Sequence, residues 1–389
     1  MRAFLSFPRQ RLAGLAAAAL LVCGPAFFCG QAFATQDNQD PDPNFVPHLL
    51  QADHLPQVMA RAVDEVIRPG YRAMGASTAK LSQALGGLCA APSPAHLAEA
   101  RAAFAETVRS WAAIEFVQVG PVMEDARMER ILFFPDRKGL GLKQVQRILA
   151  EKDQTALKPD TLRAKSVAVQ GLTSLEFVLY GTGADSVATA EGAFRCGYGA
   201  AIATNVQRTA DEIAAAWEAP DGVAKAWKQP GPDNPVYRDA SEAATGLLGV
   251  LVHGVENVRD QRIRPFLADG LQEGGGRPKQ AIYWRSGLTM AAVSGNLNAL
   301  KRLFDISGAG TLLPQDKQTV AAEIDALFTR VTNAAEALNR PVEEVLSDRS
   351  ARSQLDVLSL NVETLLDKLN KDFGGAIGLT AGFSFADGD

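Results

Sequence analysis

An all-α chain arranged as two four-helix bundles is the fold that this sequence predicts, on three observations. Apolar residues recur at spacings of three and four along most of its 389 residues, with much alanine and few β-branched runs. A proline–glycine interruption, Pro220-Asp221-Gly222 with Pro230-Gly231-Pro232 and Pro235, then divides the helical pattern into halves. Each half carries an apolar stripe on every helix that needs partners to bury it. The matched order of helix lengths points to an internal duplication, although residue-level repetition is faint.

The chain opens with Arg2, Arg9 and Arg11. An apolar run over 12–22 follows, too short for an ordinary membrane span, and then the small-x-small site Ala32-Phe33-Ala34. A cleavable secretory signal over 1–34 and a periplasmic location are expected. Val22 is bulky for the position ahead of a lipidated Cys23, so ordinary cleavage is the stronger expectation. No later segment reaches about 18 uninterrupted apolar residues, so a soluble mature chain is expected. Three of the 39 basic residues and none of the 44 acids lie in the signal; what remains is 36 against 44, a net charge of −8. That balance argues against nucleic acid as a partner. Cys23 and Cys29 fall in the signal. Cys89 and Cys196 are left, and in an exported protein such a pair is expected to form a disulfide.

Residues 35–54 are polar, proline-dotted at the start, and read as a leader. The N-terminal bundle is expected over 55–219. Its first helix spans about 57–88, kinked at Pro69-Gly70. Ser93-Pro94 supplies the cap and first turn of the second helix, which runs to Val119 and stops at Gly120-Pro121. An irregular stretch follows, with Phe133-Phe134-Pro135-Asp136-Arg137, Gly139 and Gly141. A short helix over 142–151, the helix within 171–181 and a long helix over 189–219 complete this half. After the linker 220–236, the C-terminal bundle is expected over 237–373. Its first helix, 237–267, has Leu247, Leu251, Val255 and Val258 on one face. A glycine-rich loop at 270–277 leads to a helix over 283–304. Val320, Ile324, Leu327, Val331 and Leu338 mark the third helix. Leu355, Leu358, Val362, Leu365 and Leu369 mark the fourth. The tail 374–389 is glycine-rich, non-helical and short enough to dock on the bundles.

Two carboxylates break the apolar stripes. Val169, Leu172, Glu176 and Leu179 step by 3, 4 and 3. Phe104, Val108, Trp111, Glu115 and Gln118 step by 4, 3, 4 and 3. A carboxylate on an apolar face must be paired, protonated or bound to a cation. Glu115 and Glu176 therefore support two readings. One is a cation or ligand site with Thr173 beside it. The other is a buried network in which arginines such as Arg130 or Arg137 hold the bundle in register. Asp136 and Arg137 sit in a loop that could cover the same end of the bundle; a helix cap and a surface charge is the competing reading. Arg285-Ser286 is expected to open a helix. Arg285 either reaches the pocket between bundles or bridges to Asp387 or Asp389 in the tail. His253-x-x-Glu256 stands alone beside the stripe of its helix, so His253 is expected to point sideways. His48, His54 and His96 fall in the leader or at helix starts. No Gly-x-Ser-x-Gly, phosphate loop or dinucleotide fingerprint occurs in its proper context.

In their order, several pieces resemble the imelysin family of bacterial exported proteins. They are Cys89 with Pro92-Ser93; Ala100-Arg101-Ala102-Ala103-Phe104; Trp111 with Glu115; Gly120-Pro121; Phe134-Pro135-Asp136; the stretch 171–181; and Arg195-Cys196. Trp284-Arg285-Ser286-Gly287-Leu288 and the ending Gly382-Phe383-Ser384-Phe385-Ala386-Asp387-Gly388-Asp389 follow. The resemblance implies two helical bundles, an extracytoplasmic place and an association with iron acquisition. It also brings an old peptidase label and the signature Gly-x-His-x-x-Glu. This chain has Gly171 and Glu176 but Thr173 in place of the histidine, and a hydroxyl is a poor ligand for zinc or iron. The expectation is thus a non-enzymatic binding protein with a cleft lined by Glu115, Thr173 and Glu176, closed by Asp136 and Arg285. Its ligand would be iron or another divalent or trivalent cation held by Glu115 and Glu176, or a small molecule. A metallopeptidase is one alternative. A cell-envelope scaffold, or a partner of an outer-membrane transport protein, is the other.

Overall fold

Helix follows helix from Leu55 onward. The computed structural model describes residues 50–267 and 276–381. Among them no strand forms, apart from an isolated bridge between Leu267 and Gly276. The expected signal peptide, nearly all of the leader, most of the glycine-rich loop and the tail residues 382–389 lie outside the described residues.

Helix α1 (Leu55–Arg61) continues through a π-turn (Ala62–Ile67) into α2 (Arg68–Ala90). In that turn the Arg68 N–H bonds the Val63 carbonyl, five residues back. Pro69 has no N–H to give and crowds the carbonyl four residues before it, so the ladder loosens ahead of the proline. Ser93 Oγ accepts the His96 N–H at 3.2 Å and caps α3 (Pro94–Ala112). This helix ends well short of the expected Val119. Ile114, Glu115, Phe116 and Val117 are buried in succession beyond its end. The chain turns instead, with the Ile114 and Glu115 N–H groups both on the Trp111 carbonyl.

Short α4 (Arg127–Ile131), α5 (Leu140–Glu151) and α6 (Pro159–Arg163) precede α7 (Gly171–Tyr180), α8 (Ala193–Glu218) and α9 (Val223–Lys228). Helix α2 packs on α3 and α8, and α7 packs on both α8 and α3. Cys89 on α2 and Cys196 on α8 form the expected disulfide, with 5.5 Å between Cα atoms.

Asp239 caps α10 (Ala240–Asn257) through the Glu242 N–H at 2.9 Å. The helix runs on as a π-turn (Val258–Ile263) and cannot pass Pro265. Helix α11 (Thr289–Ser307) starts later than the expected residue 283. Tyr283, with a φ of 56°, and Gly287, with 71°, break the helical path ahead of it. Then come α12 (Gln318–Ala337), α13 (Val342–Ser347) and α14 (Arg349–Asp367). A π-turn (Lys368–Phe373) and one helical turn (Gly374–Ala376) carry the helix into the start of the tail. Helices α10, α11, α12 and α14 pack together, and α11 also lies on α1 and α3. The apolar core is consequently continuous from Leu55 to Ala381.

Candidate functional site

Helix α7 can start where it does because residue 171 is glycine. Its φ is +76°, and a Cβ there would stand 2.6 Å from the Ile131 carbonyl oxygen and 2.7 Å from that of Arg130, at the end of α4. With the helix pressed that close, nearly every side chain of α7 is buried, Glu176 included. Val169, Leu172, Glu176 and Leu179 all face inward, as their spacing predicts. Glu176 Oε1 accepts two bonds from Ser286, from the backbone N–H at 2.9 Å and the hydroxyl at 2.8 Å. Burial pushes the Glu176 carboxyl above its ordinary range; the Ser286 donors and the Arg285 charge pull it partly back.

Glu176 lines a cavity of about 680 Å³, a volume in the range of small-molecule sites. One wall is the loop 133–141. A second is the Thr173–Glu176–Phe177 side of α7. The third joins Asp260, Gln261 and Pro265 to the turn 279–285. Asp136, Thr173, Glu176 and Arg285 thus meet around one space. Thr173 Oγ1 donates to the Phe133 carbonyl at 3.3 Å. Asp136 has its oxygens on the N–H groups of Leu140 at 2.8 Å and Leu142 at 3.0 Å, which places it as the cap of α5. Arg285 sits in a turn, not on the helix that was expected to begin there. Its guanidinium lies over the Trp284 ring at 4.5 Å and the Phe177 ring at 5.4 Å. Half-burial pulls its pKa below the usual arginine value, against the attraction of Glu176, yet it stays charged.

Glu115 is placed elsewhere. It does not line this cavity, and its partner is neither Arg130 nor Arg137. Arg262, projected inward from the π-turn after α10, meets it with Nε at 3.2 Å from Oε1 and Nη2 at 3.0 Å from Oε2. Asn296 adds a bond from Nδ2 to Oε1 at 2.7 Å. Both charged side chains are at most 3% exposed. The Glu115 charge is therefore already neutralised by a forked guanidinium. Sequence reasoning missed Arg262, although a signal existed: the α10 stripe Leu251, Val255, Val258 continues by four to residue 262. Arg130 bonds the carbonyls of Asp125 and Arg163 instead. His253 is half-buried at the side of α10, with Nδ1 3.3 Å from Glu256 and Nε2 3.2 Å from the Ala381 carbonyl. The alternative Arg285 partners, Asp387 and Asp389, lie outside the described residues.

The Imelysin family model matches residues 67–369. The chain belongs to the imelysin family. Two solved structures share its fold. An imelysin-like protein from Psychrobacter arcticum 273-4 aligns over 86% of this chain and 99% of its own, at 18% identity and a TM-score of 0.68. A putative iron-regulated protein A precursor from Parabacteroides distasonis ATCC 8503 aligns over 82% and 95%, at 15% identity and a TM-score of 0.69. No curated protein sequence matches the chain.

The imelysin motif positions Gly171, Thr173 and Glu176 can be tested for a metal from the groups present. Among the described residues, no three His, Cys, Asp or Glu side chains converge as a metal site. Thr173 has given its hydroxyl proton to a carbonyl, Asp136 is spent on α5, and Arg285 brings positive charge beside Glu176. This donor set does not fit a bare metal ion, and no chemical step is derived through one.

Proposed function

We propose that this imelysin-family protein is an extracytoplasmic binding protein whose small ligand occupies the cavity between α7, the loop 133–141 and the turn 279–285, in the service of metal acquisition. One observation carries this reading. A buried carboxyl, Glu176, is fastened by Ser286 at the wall of an aromatic-lined cavity and has a charged guanidinium next to it. A cavity with an apolar lining and a few convergent polar groups has the make-up of a small-molecule site. The arginine-led, apolar opening over 1–34 and the Cys89–Cys196 disulfide support export to an oxidising compartment. Among the described residues no helix is long and apolar enough to cross a membrane. The metal link is supported by the family resemblance and by the name of the iron-regulated relative. In this reading Asp136 and Thr173 shape the cavity while Glu176 and Arg285 anchor the ligand. We further read 55–219 and 237–373 as duplicated bundles joined by 220–236. A scaffold role has one observation on its side: Val357 and Leu360 on α14 are 54% and 64% exposed.

Calorimetric titration with ferric, ferrous, zinc and calcium ions, each with and without citrate, tests the cavity reading against Thr173→Trp, which fills the space. Saturable binding that Thr173→Trp abolishes supports it. Silence of the native protein toward every titrant moves the function to the α14 surface and a protein partner.

A further inference from the structure

We infer that the cavity receives an organic anion, a small molecule with a flat apolar body whose carboxylate is taken by Arg285. The charges of the cavity wall point to it, on the reading that the cavity is the binding site. Three acids line it: Asp136, Glu176 and Asp260. All of them are engaged. Asp136 caps α5 with both oxygens. Asp260 is held by Arg259 at 2.7 Å and by Arg264 at 2.7 Å. Glu176 accepts two bonds from Ser286 through Oε1.

The three cations on the same wall are in the opposite condition. Arg137, Lys279 and Arg285 line the cavity and form no ion pair or side-chain hydrogen bond among the described residues. Lys279 meets only the Trp284 ring, with Nζ 5.8 Å from its centroid. Arg285 is the decisive one. Its guanidinium carbon lies 4.5 Å from the Trp284 ring centroid and 5.4 Å from that of Phe177, and its N–H groups have no hydrogen-bond partner among the described residues. A half-buried guanidinium with unused edges is a carboxylate receptor in waiting, because its forked donors match two coplanar oxygens. The remaining lining adds Phe133, Phe134, Leu142 and Ile282, which suits an apolar, planar body. A bare cation would meet three positive side chains, with Asp136 and Asp260 already taken by their own donors. A metal that enters here must arrive already wrapped in anionic ligands.

The test is calorimetry of the full chain with naphthoate, its neutral isostere naphthamide, and naphthyl phosphate. The native protein should bind naphthoate at least about 10-fold more tightly than naphthamide, the value of a charge-assisted hydrogen bond over a neutral one. Arg285→Gln should erase that advantage and leave naphthamide unchanged, and Arg285→Lys should restore part of it. Equal affinities for naphthoate and naphthamide in the native protein overturn the inference while leaving the cavity reading intact, and this ratio needs no variant to fold. Tighter binding of naphthyl phosphate than of naphthoate overturns the choice of carboxylate. No binding of any of the three overturns the inference, and binding that Thr173→Trp leaves untouched overturns the cavity reading itself.

Discussion

Replacing Glu115 by alanine is the sharpest probe of how this core is held together. The change removes the acceptor of three hydrogen bonds: two from Arg262, at 3.2 and 3.0 Å, and one from Asn296, at 2.7 Å. Arg262 is then a buried guanidinium without its carboxylate, beside the Phe134 ring at 5.5 Å. Breaking a buried pair by deleting one partner costs about 3–5 kcal/mol, because the other charge stays desolvated. Unfolding entropy near 2.1 cal/mol/K per residue, over the roughly 340 residues of the unit His48–Asp389, makes each kcal/mol worth about 1.4 °C. The expected fall in Tm is therefore about 4–7 °C, read by calorimetry and checked against urea midpoints. The double replacement Glu115→Leu with Arg262→Met removes both charges and should recover most of that loss. Cavity affinity should not move, since Glu115 does not line the cavity. A loss below about 1 kcal/mol for Glu115→Ala, or a double variant worse than the sum of the singles, would refute the reasoning.

Three further outcomes are expected. The Glu176 carboxyl titrates higher in the folded protein than in the unfolded chain, so its contribution to stability is complete below the ordinary carboxyl range and is lost as pH rises through the folded value. Glu176→Gln should flatten that part of the urea-midpoint profile, and an unchanged profile would count against the buried carboxyl. Removing the Cys89–Cys196 link frees a 107-residue separation, and a loop of that size predicts a loss approaching about 4.7 kcal/mol, measured on a double serine variant under non-reducing conditions. Gly171→Ala should cost about 1–3 kcal/mol and loosen α7, because the new methyl meets two carbonyl oxygens at under 2.8 Å on a left-handed backbone; amide exchange within α7 reads the effect.

The helices were legible because their signals are local. Ser93-Pro94 capping α3, the 3–4 stripes of α10, α12 and α14, and the inward face of α7 all follow from short-range spacing and cap chemistry. Where the reading slipped, a distant group had outbid the local ladder. Ser286 was expected inside a helix, yet its N–H is taken by Glu176, 110 residues away. Glu115 was expected on a helix, yet the chain turns after Ala112 and its carboxylate goes to Arg262, 147 residues away.

The sequence by itself determined the all-α class, most helix starts, the disulfide partners and the fact that two carboxylates face inward. Periodicity, capping and cysteine count are properties of neighbours along the chain. Only the tertiary structure decided what those carboxylates meet. It gave Glu115 to Arg262 and placed Glu176 on a cavity with Asp136, Thr173 and Arg285. Which charges become neighbours depends on helix rotation and on where turns fall. Those are set by burial summed over the whole core, and no local spacing encodes them.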